Sequence, residues 1–139
     1  MKKNFLFIIA VFCFSFQISH AATCNASKAE QAEQAIDNLN SWDDIDNFFR
    51  KFRQCDDGSI SEGTSEAIAQ LMLKDWQGSM KAISKKSTAF RSFAIAHVNE
   101  TLNNEDLEKI QNKAKTECTK NEDTLCKEIE KAAQAALKH

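Results

Sequence analysis

Beyond residue 25, apolar residues recur at intervals of three and four along almost the whole chain, the spacing of helices that each bury one face. A first helix is expected from about Lys28 to Leu39, with Ala29, Ala32, Ile36 and Leu39 as a thin stripe. Ser41 caps a second, in which Trp42, Ile45, Phe49 and Phe52 share a face up to Cys55. Cys55-Asp56-Asp57-Gly58-Ser59 is the clearest break, because Asp and Gly favour turns and Asp or Ser caps the next helix. The third helix is the longest and most apolar: Ile60, Ala67, Ile68, Leu71, Met72, Trp76, Met80 and Ile83 stay near one face, with a bend expected at Gly78. Gly63 lies inside it, where glycine costs about 0.5–1 kcal/mol against alanine, so close approach of another backbone is expected there.

Ser87 caps a fourth helix with Phe90, Phe93, Ala94, His97 and Val98 on its buried face. The polar stretch Asn99-Glu100-Thr101-Leu102-Asn103-Asn104 connects it to a fifth, lined by Leu107, Ile110, Ala114 and Cys118, whose early Glu105, Asp106 and Glu108 suit a helix N-terminus. A turn from Thr119 to Asp123 leads to a last helix carrying Leu125, Cys126, Ile129, Ala133, Ala136 and Leu137. The reading is an all-α protein, a compact bundle of about six helices around a long central one.

Composition sharpens this. The 139 residues contain no proline and only three glycines, so the punctuation that strands and hairpins need is missing, and the length suits one domain. Residues 1–21 differ from the rest: Lys2 and Lys3, the apolar run Phe5 to Phe16, then Ser19 and Ala21, the pattern of a secretory signal cleaved after Ala21. The run is shorter than the roughly 20 residues that span a bilayer. The domain is therefore read as residues 22–139. Both leader lysines and Cys13 go with the leader, which leaves a charge of −4 and four cysteines, an even number for an oxidising compartment. If the first two helices form an antiparallel hairpin, Cys24 lies beside Cys55; Cys118 and Cys126 flank the last turn. Those are the two expected disulfides. Lys74, Lys81, Lys85, Lys86 and Arg91 against Asp75 alone make a local excess of positive charge, which suits a solvated face or a charged protein partner.

Candidate chemistry is sparse. His97 sits on an apolar helix face, where a core histidine satisfied by one hydrogen bond is the expected role; Glu100 at i+3 offers it a second metal ligand, but nothing completes a site. A Cys/His dyad needs a cysteine left reduced. Asp56, Asp57, Glu62 and Glu66 lack the alternating ligands of a calcium loop, and capping accounts for the aspartates. No catalytic residue, metal or cofactor is assigned, and the net acidic charge of an exported chain argues against nucleic acid as a partner.

The segment from Cys55 to Ile68, followed by Leu71 and Trp76, resembles the signature of periplasmic immunity proteins against type VI secretion amidase effectors, and is most similar to the group paired with the fourth amidase class. Phe90, Phe93, His97 and Thr101, and the ending Cys118 to Leu125-Cys126, are similar in order and spacing. The resemblance implies a non-enzymatic, homodimeric inhibitor in the periplasm of a Gram-negative bacterium. Its partner would be a cognate peptidoglycan amidase with a Cys/His active site, and neither nucleic acid nor, once the signal is cleaved, a membrane. It also implies that a loop between late helices enters the effector's groove. Here that loop is Asn99, Glu100, Thr101, Leu102, Asn103 and Asn104, with Leu102 as an apolar anchor and Glu100 as a carboxylate facing a catalytic histidine or a basic rim. The rival classes are a periplasmic acid-stress chaperone and an inhibitor of another wall hydrolase such as lysozyme.

Overall fold

A computed structural model describes residues 23–139, which form seven α-helices and one 3₁₀ turn, without a strand among the described residues. The helices are α1 (Ala26–Ile36), α2 (Trp42–Phe52), α3 (Gly58–Lys74), α4 (Trp76–Ser84), α5 (Thr88–Ala96), α6 (Asn104–Thr116) and α7 (Asp123–Ala136), with the 3₁₀ turn at Arg53–Cys55. The secretory signal read at residues 1–21 lies outside the described residues. Among those described, no helix is long and apolar enough to cross a membrane.

The helices begin where side chains satisfy their free N–H groups. Asn25, Ser41, Asp57, Ser87 and Asn103 each accept from a backbone N–H at the start of α1, α2, α3, α5 and α6. Helix α2 also places Asp43 and Asp44 in its first turn and Arg50 and Lys51 in its last, matching the helix dipole at both ends.

The expected long third helix is two helices. The chain breaks at Asp75, three residues before the expected bend at Gly78. Asp75 is extended (φ −147°, ψ 87°), ends α3, and turns its carboxylate onto the N–H of Gly78 at 2.9 Å to begin α4. A Cβ at position 78 would overlap that carboxylate, so the glycine makes room for the cap and is not itself the hinge. The break is stitched to α2: Trp42 Nε1 donates to Ser79 Oγ at 2.9 Å, and Ser79 Oγ donates to the Leu71 carbonyl at 3.0 Å. Even shortened to 17 residues, α3 is the longest helix and packs against α1, α2, α4 and α6.

Phe90, fully buried, anchors the core on the α2 and α5 side. Trp42 and Phe49 meet it edge-on with ring centroids at 6.4 and 5.7 Å, and Phe93 lies 5.1 Å from Phe49. Such pairs add about 0.5–1.5 kcal/mol each beyond the area they bury. On the far side α6 and α7 pack as an antiparallel pair through Leu107, Ile110, Leu125 and Ile129.

Both cysteine pairs form as expected, Cys24 with Cys55 (Cα–Cα 5.0 Å) and Cys118 with Cys126 (6.3 Å). The partners stand 31 and 8 residues apart in sequence, so restriction of the unfolded chain contributes about 3.7 and 2.5 kcal/mol respectively. The larger contribution holds α1, the least embedded helix, whose only buried residue is Ala32. Disulfide bonds persist in an oxidising compartment.

Gly63 lies against α1, but against a side chain and not the expected backbone. A methyl group at position 63 would lie 2.7 Å from Ile36 Cγ2 and 3.1 Å from Cδ1. Gly63→Ala therefore sets a helix-propensity gain of about 1 kcal/mol against overpacking of about 1–3 kcal/mol by a stiff β-branched neighbour. The clash wins. Urea denaturation should show Gly63→Ala less stable by about 1 kcal/mol in the native background and more stable in an Ile36→Ala background; stabilisation in both would refute this contact.

Lys86, in the turn between α4 and α5, reaches back to α2 and bonds Asp43 Oδ1 (2.9 Å) and Asp46 Oδ2 (3.1 Å). One of the five local cations is thus internal to the fold. Asp46, itself buried, also receives Arg50 through both Nε (3.3 Å) and an Nη (2.9 Å). The Arg50 guanidinium lowers the Asp46 pKa from the ordinary carboxylate value; burial opposes this and Lys86 adds to it. A lowered folded-state pKa means stability that is complete above the unfolded value of about 3.9 and is lost as pH falls through the lower folded value. Asp46→Asn should cost about 1–2 kcal/mol at neutral pH, with the gap to the parent narrowing below about pH 4 in pH-stepped denaturation. A gap independent of pH would assign the loss to packing.

Candidate functional site

Helix α5 ends at Ala96, and His97 follows as its C-cap, its ring edge-on to Phe93 with centroids at 4.4 Å. The histidine is 2% exposed, as a core position predicts, but it has two polar partners and not one. Nδ1 lies 2.8 Å from Ser65 Oγ on α3, and Nε2 lies 3.1 Å from Asp56 Oδ2 in the turn before α3. Ser65 Oγ in turn accepts from Asn99 Nδ2 at 3.2 Å. With the ring proton on Nε2, donors and acceptors run in one direction: Asn99 to Ser65, Ser65 to His97, His97 to Asp56.

Serine, histidine and aspartate in line have the composition of a hydrolytic triad. Ser65 is 0% exposed, however, and no substrate reaches its hydroxyl. The cluster acts as a clamp. It joins the segment beside the Cys24–Cys55 bond, the middle of α3, and the connection after α5. Asp56 is thereby diverted from capping, which Asp57 performs alone by accepting from the Gly58 N–H at 2.8 Å. Glu62 and Glu66 are exposed, the latter bonded by Gln70. His97 and Glu100 do not come together as metal ligands, because the helix has already ended at Ala96 and the ring turns inward while Glu100 stays exposed. All four cysteines of the described chain are disulfide-bonded, so they provide no thiol nucleophile.

The connection itself is ordered by its own side chains. Asn99 Oδ1 accepts from Thr101 N at 3.0 Å and from Thr101 Oγ1 at 2.6 Å, while Asn99 Nδ2 also donates to the Ala96 carbonyl at 2.9 Å. Asn103 caps α6 reciprocally with Asp106: Asn103 Oδ1 accepts from Asp106 N (2.9 Å), and Asn103 Nδ2 donates to Asp106 Oδ2 (2.8 Å). Asn104 is already the first residue of α6. Leu102 is 5% exposed and belongs to the core, which corrects its assignment as an apolar anchor for a partner. The reason is energetic: burying a leucine stabilises by about 1.5–3 kcal/mol, and this loop lies directly over apolar surface. Glu100, Thr101, Asn103 and Asn104 remain at the surface.

The sequence pattern points to His97 and the loop but not to Asp56 and Ser65 as their supports. One signal is present: Thr64 and Ser65 are polar residues on the buried stripe that includes Ile68 and Met72. Thr64 satisfies its hydroxyl on the Ile60 carbonyl at 2.8 Å. Ser65 finds its partner elsewhere, at His97 just beyond α5.

Comparison of the chain with protein-family models, with curated proteins and with solved structures finds no match.

Asn99→Ala removes the Asn99 bonds that shape the first half of the loop while leaving Leu102 in place. Amide exchange at Thr101, whose N–H bonds Asn99 Oδ1, should accelerate about tenfold or more, for a loss of about 1 kcal/mol in global stability. Unchanged exchange at Thr101 would show that the buried leucine alone orders the loop.

Proposed function

We propose that this protein is a non-enzymatic inhibitor, an immunity protein that protects its producer from a type VI secreted peptidoglycan amidase. The proposal takes in export to the periplasm of a Gram-negative cell and assembly as a homodimer. The reading starts from the resemblance carried by Cys55 to Ile68 and is supported by two paired disulfides, which suit an oxidising compartment.

The observation that carries it is the ordered loop between α5 and α6. An inhibitor that must block a lethal enzyme gains affinity when its contact loop is already in the bound shape, because little conformational entropy is lost on docking. Here Asn99, the buried Leu102 and the Asn103 cap hold the loop, and Glu100 and Thr101 stand at its tip. Glu100 offers a carboxylate to a catalytic histidine or a basic groove rim. Leu102 contributes indirectly, by pinning the backbone.

Oxidised protein should abolish peptidoglycan cleavage by the amidase encoded beside it, with an affinity near 1 nM, about −12 kcal/mol. Replacing Glu100 with Lys and Thr101 with Ala should weaken binding by about 2 kcal/mol or more while far-UV circular dichroism stays unchanged. Full inhibition by that double variant would remove the loop from the contact. Absence of inhibition by the parent would remove the function, and inhibition of lysozyme in its place would move the reading to another wall hydrolase.

A further inference from the structure

Charges without an ion pair among the described residues also line a concave surface alongside α5. A cleft of about 420 Å³ opens between α5 and the start of α7. That volume falls within the range of small-ligand sites, about 300–1,000 Å³. Its walls present Arg91 from α5, Glu122 and Glu128 from α7 and its preceding turn, and hydroxyls including Thr88, Ser92 and Thr124.

These charges are not consumed by the fold. Arg91 donates to Thr88 Oγ1 at 3.2 Å, and no ion pair among the described residues includes Arg91, Glu122 or Glu128. Glu122 is the more telling group. It occupies the N-cap position of α7, yet its side chain does not cap the helix. One of its carboxylate oxygens is buried and accepts no hydrogen bond. The partly exposed Glu122 side chain lines the cleft together with Glu128, where a ligand cation would pair with them.

We propose that this cleft binds a small zwitterion, an amino acid or a dipeptide, with its carboxylate on Arg91 and its ammonium on the Glu122 side. The mixed lining selects for both charges together. A simple anion attracted by Arg91 faces two carboxylates, and a simple amine attracted by Glu122 faces a guanidinium. Serine and threonine hydroxyls donate or accept, so they serve either end of the ligand. Beyond Glu128 the cleft continues into a shallower trough over Ile95, Ala96, Ala132 and Ala135, where small side chains leave space for the aliphatic part of a peptide. The lining of the cleft itself includes no residue of the α5–α6 loop, so substitutions at Arg91 and Glu122 test zwitterion binding apart from amidase inhibition.

The test is an amide chemical-shift titration of the full chain, expressed with its leader and recovered oxidised. The probes are alanyl-alanine as zwitterion, with acetate and methylammonium as single-charge controls. The dipeptide should shift amides around Thr88–Ser92 and Glu122–Glu128 saturably, with a dissociation constant of about 1 mM, and each control should bind at least about tenfold more weakly. Arg91→Gln and Glu122→Gln should each weaken the dipeptide by about tenfold or more without loss of helical signal. No saturable shift, equal response to all three probes, or undiminished binding by either folded variant would overturn the proposal.

Discussion

A buried imidazole must find a partner for each ring nitrogen, and in this fold that requirement organises three segments distant in sequence. His97 lies among aromatic and aliphatic groups where water cannot serve it. Ser65 comes from the middle of α3 and Asp56 from the turn beside the Cys24–Cys55 bond. An unmet donor or acceptor at such a depth costs about 1–3 kcal/mol. The cluster therefore fixes where α5 ends relative to α3. Asn99, two residues later, completes it and at the same time turns the chain toward α6. The shape of the exposed loop is thus decided in the interior.

The same sharing of one side chain between two elements recurs elsewhere. Asp75 ends one helix and begins the next, and Gly78 is small because the capping carboxylate occupies the space its side chain would fill. Ser79 accepts from the Trp42 indole N–H and donates its own O–H to the Leu71 carbonyl, joining α2 to the break. Lys86 neutralises Asp43 and Asp46 together across the junction of α2 with the α4–α5 turn. A small domain with short helices has few ways to fix their angles, and each of these side chains serves that end. The surface pairs Lys109–Glu105 and Lys127–Asp123 belong to a different class: each lies within one exposed helix turn, where solvent screens it, and does not set the architecture.

Two surfaces result, with different character. The α5–α6 loop is polar and tied by its own hydrogen bonds, and it is the surface proposed above to meet another protein. The cleft between α5 and α7 is concave and carries both signs of charge uncompensated, which suits a small ligand. Both are built on α5, one beyond its C-terminus and one along its side, so its placement by the Phe90 cluster and by His97 positions both.

Helix positions, the caps at Ser41 and Ser87 and both disulfides could be read from the residues alone, because hydrophobic periodicity and capping act between neighbours within about four positions, and a hairpin brings its ends together. The misreadings share one cause. The break at Asp75, the meeting of Gly63 with Ile36, the burial of Leu102 and the diversion of Asp56 from cap to histidine partner all depend on which groups from distant helices arrive at the same place. Ser65 and His97 are separated by 32 residues, and no local pattern couples them. Local chemistry determined a disulfide-bonded all-helical domain with a polar connection after its histidine. Packing alone decided that the histidine would hold that connection rigid, since only the assembled core excludes the water that would otherwise satisfy its ring.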